Sequence, residues 1–229
     1  FKDEFVVFDL ETTGFSADVD QIIEIGAVKI KNGEIVDKFS TFVNPKVPIS
    51  FKIENLTGIN DSMVIDAPVI EEILPKFLEF CKDAVLVAHN AEFDTSFIIN
   101  KAEKMGIETE FTYIDTVLLG QFAVPHLSNY KLDTLAKHLN VSLENHHRAV
   151  DDAQATADIF IKLIDILAKR DIFTLDKLNE EGKLDDNAIK KLHQYHCIIL
   201  ASSEMGRINL YRLISMSHLK YFNRFPKIP

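Results

Sequence analysis

The run Phe5-Val6-Val7-Phe8-Asp9-Leu10-Glu11-Thr12-Thr13-Gly14 constrains this chain more than any other stretch. Dense in β-formers and closed by Thr13-Gly14, it predicts a short buried strand. Side chains of a strand alternate between faces, so Asp9 and Glu11 project together while Phe8 and Leu10 pack into the core. Two carboxylates side by side at a strand end repel one another unless a cation lies between them. Hard oxygen ligands at that spacing suit Mg²⁺ or Mn²⁺. A solvated strand end is the plainer alternative.

The segments that follow say what this strand joins. Residues 22–30 and 34–43 read as two more strands, and Asn32-Gly33 between them marks a tight hairpin, because both residues tolerate positive φ. Asn44-Pro45 breaks the sheet. Apolar spacing predicts helices over 69–81, 94–105, 116–122, 131–139 and 149–168, with buried strands at 84–88 and 113–115. Three antiparallel strands followed by alternating strands and helices predict an α/β fold: a mixed sheet flanked by helices. Residues 171–184 are polar and read as a connection, after which the strand-like His196–Ala201 and a helix-like stretch from Ile208 resume.

Two further acidic segments stand at helix starts. His89-Asn90-Ala91-Glu92-Phe93-Asp94 follows a buried strand, where Asp94 has the alternative of being only an N-cap. His147-Arg148-Ala149-Val150-Asp151-Asp152 runs from a loop into the long helix, where an Asp is also simply a favourable first-turn charge. His146 and His147 have the alternative of being solvent-exposed loop residues.

Together the three segments resemble the exonuclease motifs of the DEDD superfamily, the DnaQ-like 3′→5′ exonucleases, over roughly residues 5–168 and including Asn55-Leu56-Thr57-Gly58-Ile59. A tyrosine branch would carry Tyr four residues before the last Asp, where this chain has Arg148. The histidine branch carries His five residues before it, which His147 satisfies, so the chain resembles the DEDDh branch. The resemblance implies an RNase H-like fold and four carboxylate ligands, Asp9, Glu11, Asp94 and Asp152. It also implies two divalent cations, Mg²⁺ or Mn²⁺, and His147 as general base for hydrolysis of the terminal phosphodiester to a nucleoside monophosphate. It further places the backbone around Glu11, Thr12 and Thr13 against the terminal nucleotide, with Leu56, His89 and Phe93 near the last bases. For Leu56 and Phe93 ordinary core packing stays open. So does a shift of one residue, in which Asp151 and His146 replace Asp152 and His147. Asp115-Thr116 and Asn129–Leu132 also look family-like, with a helix start and a loop anchor as their simplest roles.

The tail lies outside that pattern. Around Gly206, Asn209, Leu210 and Leu213 it is similar to part of the PHP domain of bacterial replicative DNA polymerase III α subunits, and in the PolC type of that polymerase an exonuclease is inserted within the PHP domain. An unrelated amphipathic helix is the plainer alternative. The expected division is an exonuclease domain over 1–170, a linker over 171–195 and a PHP-like fragment over 196–229. That arrangement implies proofreading of single-stranded or frayed DNA 3′ ends, with the remainder of the polymerase chain as partner. A free-standing DEDDh nuclease acting on RNA or oligonucleotide ends, and a catalytically idle scaffold, are the competing readings.

Charge and composition bear on those choices. The chain carries 25 basic and 35 acidic residues, a net −10, which speaks against gripping nucleic acid by its overall field. The acidity is localised: residues 185–229 hold seven Lys/Arg against three Asp/Glu, leaving the first 184 residues at −14. Two cysteines, Cys81 and Cys197, make neither a disulfide framework nor a zinc site, so a cytoplasmic location is expected. No apolar run reaches the roughly 18 residues a membrane span requires, and no membrane partner is expected. The start at Phe1 reads as a piece of a longer protein.

Overall fold

The computed structural model describes residues 4–143, 147–181 and 204–219. The chain divides into two compact units, residues 1–175 and 176–229. In the first, β1 (Phe5–Thr12), β2 (Ile22–Lys31) and β3 (Glu34–Phe42) open the fold, followed by α1 (Phe51–Thr57), α2 (Asp61–Val64) and α3 (Ile70–Phe80). Then come β4 (Val85–Ala88), α4 (Ala91–Lys104), β5 (Tyr113–Asp115), α5 (Thr116–Ala123), α6 (Leu132–Leu139) and α7 (Ala149–Ala168). Two helices close the described chain: α8 (Leu175–Glu181), which lies within the stretch read as a connection, and α9 (Glu204–Leu219). The strand-like stretch at 196–201 lies outside the described residues.

The sheet runs β3-β2-β1-β4-β5. β1 is antiparallel to β2 and β2 to β3, whereas β4 and β5 are parallel to β1. The β2–β3 hairpin turns at Asn32 and Gly33, with φ of 53° and 80°. β1 is covered on both faces, and its alternation sorts the coverings. Val6, Phe8 and Leu10 join the core cluster with Phe77 of α3 and Phe97 of α4, Phe8 and Phe77 having ring centroids 5.5 Å apart. On the opposite face Phe5 meets Phe160 of α7 edge-on at 4.9 Å. Val7, Asp9 and Glu11 continue that second face, with Val28, Gly26 and Glu24 as their cross-strand partners on β2.

α7 packs over β1 and β2, and Gly26 sets how closely. A Cβ on Gly26 would come within 2.1 Å of the backbone of Ala149 and Val150, so only glycine lets the first turn of α7 rest on β2. α1 and α2, which periodicity did not predict, pack Ile53 and Val64 with Ile23 of β2, Ile49 and Ile59 in a smaller cluster. Ser50 starts α1 by accepting the Ile53 N–H, and Gly58 ends it at φ 72°.

Candidate active site

The acids arrive from three directions. Asp9 and Glu11 lie at the C-terminal end of β1 on the α7 face. Helix α4 begins at Ala91, three residues earlier than predicted, behind Asn90 in the left-handed conformation (φ 66°). Asp94 therefore does not cap the helix. It is the fourth helical residue, buried, and its Oδ1 accepts the Leu10 N–H at 3.1 Å. That bond fastens α4 to the acidic end of β1.

Asp152 lies in the first turn of α7 and is also buried. Its Oδ2 accepts the backbone N–H of His147 at 2.9 Å, five residues back, and His147 itself sits at φ 72°, in the left-handed region that non-glycine residues occupy only a few per cent of the time. Ligand atoms of Glu11, His147 and Asp152 lie within 4.8 Å of one another. Asp151 is only half-buried, and His146 lies outside the described residues.

Burial pushes the Glu11 carboxyl up to about 8, and the charges of Asp152 and Glu24 add to the rise while Arg148 opposes it. Asp9 is raised well above the carboxylate range by burial, then by the charges of Asp94 and Glu11. Burial also raises Asp94, against the pull of the Leu10 N–H. Carboxylates so held favour protons over ionisation, and a dication reverses that preference by binding the ionised form. The donors are carboxylate oxygens with one imidazole, a set that fits a hard divalent cation.

A fifth carboxylate was not predicted. Glu24 stands opposite Glu11 across the β1–β2 ladder and is 1% exposed. Its Oε1 accepts Arg148 Nη2–H at 2.9 Å, and its Oε2 accepts Arg148 Nε–H at 3.2 Å and the Ala149 N–H at 3.0 Å. No local sequence pattern links residues 124 positions apart.

The residues expected to meet substrate differ in their exposure. Thr12 is buried, its hydroxyl donating to the Gly14 carbonyl at 2.6 Å, while Thr13 is half-buried and bonded to Asp20 and Gln21. Leu56 is 44% exposed, which rules out ordinary core packing. Phe93 packs against Phe97 at 5.1 Å and faces Phe15 at 6.3 Å. Phe15, absent from the expected set, is 72% exposed, with Lys52 Nζ 5.9 Å from its ring. A large apolar residue directly after Thr13-Gly14, outside any apolar period, was the available signal. The loop displaying Phe15 is pinned by α4: Lys101 Nζ donates to the Asp20 carbonyl, Lys104 Nζ to the Asp18 carbonyl and Asn100 Nδ2 to Asp18 Oδ1.

His89 bonds Thr116 Oγ1 through Nδ1 at 2.9 Å, and burial lowers its pKa. It lines a cleft of about 510 Å³ with Asn90, Gln121, Asn129 and Tyr130. Asp115 starts α5 by accepting the Val117 N–H and also accepts the Asn90 N–H, while Asn129 Oδ1 accepts from Lys131 and Thr134. These groups shape the cleft wall.

Comparison with known proteins fits this geometry. The chain is 56% identical over 226 residues to the PolC-type DNA polymerase III of Caldanaerobacter subterraneus subsp. tengcongensis, a match covering 99% of this chain but 16% of that relative's length. Among solved structures, Exonuclease X in complex with 5′ overhanging duplex DNA superposes with a TM-score of 0.62 at 28% identity, covering 78% of this chain and 99% of that one. The nuclease domain of 3′hExo, a DEDDh family member bound to rAMP, gives a TM-score of 0.64 at 21% identity over 72% of this chain and 93% of that one, a likeness of fold. The expected RNase H-like architecture is thus the observed one. The exonuclease (RNase_T) family pattern matches residues 6–160, so the chain belongs to the exonuclease family.

Proposed function

We propose that this chain is the 3′→5′ proofreading exonuclease of a bacterial replicative DNA polymerase III, hydrolysing terminal phosphodiesters of single-stranded or frayed DNA to nucleoside monophosphates. The observation that carries the reading is the convergence of Glu11, His147 and Asp152 within 4.8 Å, beside the half-buried Asp9 and the buried Asp94. The polymerase context rests on the similarity to PolC-type relatives along nearly the whole chain. In this reading residues 1–170 form the nuclease domain, 171–195 a linker and 196–229 part of a PHP domain.

Asp9, Glu11, Asp94 and Asp152 would hold two divalent cations, Mg²⁺ or Mn²⁺. When bound, these supply water activation and stabilisation of charge on the leaving 3′ oxygen. His147 would take the proton of the attacking water, a role that suits imidazole, the side-chain type that changes charge nearest neutral pH. The backbone at Thr12 and Thr13 would orient the terminal nucleotide, with His89 beside it. Phe15, Leu56 and Phe93 offer apolar surface on which unpaired bases stack without regard to sequence.

The test is release of mononucleotides from the 3′ end of labelled single-stranded DNA in Mg²⁺ or Mn²⁺, abolished by EDTA. Undiminished cleavage in metal-free buffer would sink the reading.

A further inference from the structure

The first turn of α7 carries Asp152 and follows His147, yet nothing in its own sequence caps it. Arg148 occupies the N-cap position and makes no side-chain capping bond. The first N–H groups of a helix have no partner within it and need one from elsewhere. Here the partner comes from β2. Glu24, 1% exposed, accepts the Ala149 N–H at 3.0 Å with Oε2 and grips the Arg148 guanidinium with both oxygens. The guanidinium also lies over the Phe42 ring of β3, 5.1 Å from its centroid. Gly26, two residues on, leaves room for Ala149 and Val150 to rest directly on the strand.

We propose that Glu24 and Arg148 are positioning residues for the exonuclease reaction, a cap and clamp contributed by β2 that fixes the backbone at 147–149 so that His147 and Asp152 are presented together to Glu11. The inference rests on the function proposed above. Three features meet at one point of the chain. His147 holds a left-handed backbone at φ 72°, and its N–H is bound by Asp152. The next residue is Arg148, and the next N–H is the one Glu24 accepts. Releasing the clamp frees a left-handed backbone that is less favourable for a non-glycine residue than the ordinary regions. The clamp also determines which neighbours face the acids. With Arg148 turned to β2, Asp152 is buried at the site and Asp151 is half-buried.

A competing role for the same atoms is electrostatic. Glu24 would then act as a fifth negative charge near bound cations, partly cancelled by Arg148, and the two roles predict different signs. A clamp fails whichever half is removed, so Glu24→Gln, Arg148→Lys and Arg148→Met should all lower kcat. A loss of about 10- to 100-fold is expected for Glu24→Gln, the range typical of groups that orient a metal site or a reacting geometry. KM for single-stranded DNA should stay within about twofold, because neither residue sits among the groups facing the bases. The double variant Glu24→Gln/Arg148→Lys should be no worse than the more damaged single one.

If charge alone matters, Glu24→Gln raises the Mn²⁺ concentration for half-maximal activity and Arg148→Met lowers it. Steady-state kinetics with a Mn²⁺ titration on the 229-residue chain and these variants decides between them, circular dichroism confirming that each is folded. Opposite shifts in the Mn²⁺ requirement, additive losses, or an unchanged kcat in the folded variants would overturn the inference. Arg148→Lys keeps the charge but loses the two-pronged grip, so its kcat decides between the two roles should Glu24→Gln fail to fold. Absence of metal-dependent cleavage by the unsubstituted chain would instead count against the function itself.

Discussion

Glu11→Gln removes one charge from a buried acidic cluster while keeping the shape of the side chain. In the native fold the Glu11 carboxyl is pushed from 4.5 up to about 8 by burial and by Asp152 and Glu24. A raised acid opposes folding once it ionises: the destabilisation from Glu11 is absent below about pH 4.5, grows as pH climbs towards 8 and levels off above it. At pH 7 the cost is about 3 kcal/mol, from about 2.5 pH units at about 1.36 kcal/mol each. The amide mimics the protonated acid and escapes that cost. At roughly 2–4 °C per kcal/mol for a chain of this size, metal-free Glu11→Gln should melt about 6–12 °C above the unsubstituted protein at pH 7. At pH 5 the gain should shrink to about 1 kcal/mol or less. Saturating Mn²⁺ should erase or reverse it, because the cation stabilises the ionised form only where a carboxylate exists to bind it. Scanning calorimetry in EDTA and in Mn²⁺, from pH 5 to 8.5, measures all of this. Equal melting temperatures in EDTA at pH 7, or a gain that persists unchanged in Mn²⁺, would refute the reasoning.

His147→Ala should lower kcat by about 10²- to 10⁴-fold with little change in KM, while His146→Ala stays mild; the reverse pattern would move the site to Asp151. Phe15→Ala should weaken single-stranded DNA binding by roughly 5- to 150-fold, the equivalent of about 1–3 kcal/mol for one stacked base. Its melting temperature should hold, because Phe15 is 72% exposed; fluorescence anisotropy and calorimetry check the pair. Mismatched primer termini should be degraded faster than matched ones in initial-rate assays, since each step already unstacked saves on the order of 1–2 kcal/mol.

Strong local signals made the sheet legible. Asn32-Gly33 can hardly be anything but a hairpin turn, and the alternation along Phe5–Glu11 assigns each side chain to its covering helix. The helices over 69–81 and 149–168 were readable from their apolar stripes. Short α1 and α2 were not, because seven and four residues carry too few periods, although Ser50 and Gly58 bracket the first of them. The early start of α4 was hidden because Asn90 enters by a left-handed backbone and makes no side-chain cap. Motif spacing pointed to the four acids and His147. Glu24 was invisible for the opposite reason: in Ile22-Ile23-Glu24-Ile25 it looks like the polar position of an alternating strand, and only the folded chain brings Arg148 to it.

The bond from Leu10 to Asp94 spans 84 positions, and that from Ala149 to Glu24 spans 125. Contacts so distant along a chain form late, since the loop between them must close before they repay its entropy. Emerging from the ribosome, the chain would display Asp9 and Glu11 more than a hundred residues before Asp152 leaves the tunnel. The full acid cluster exists only once α7 is docked on β1 and β2. Assembly of the candidate centre is thus tied to one event, the docking of the helix that brings His147 and Asp152 to Glu11.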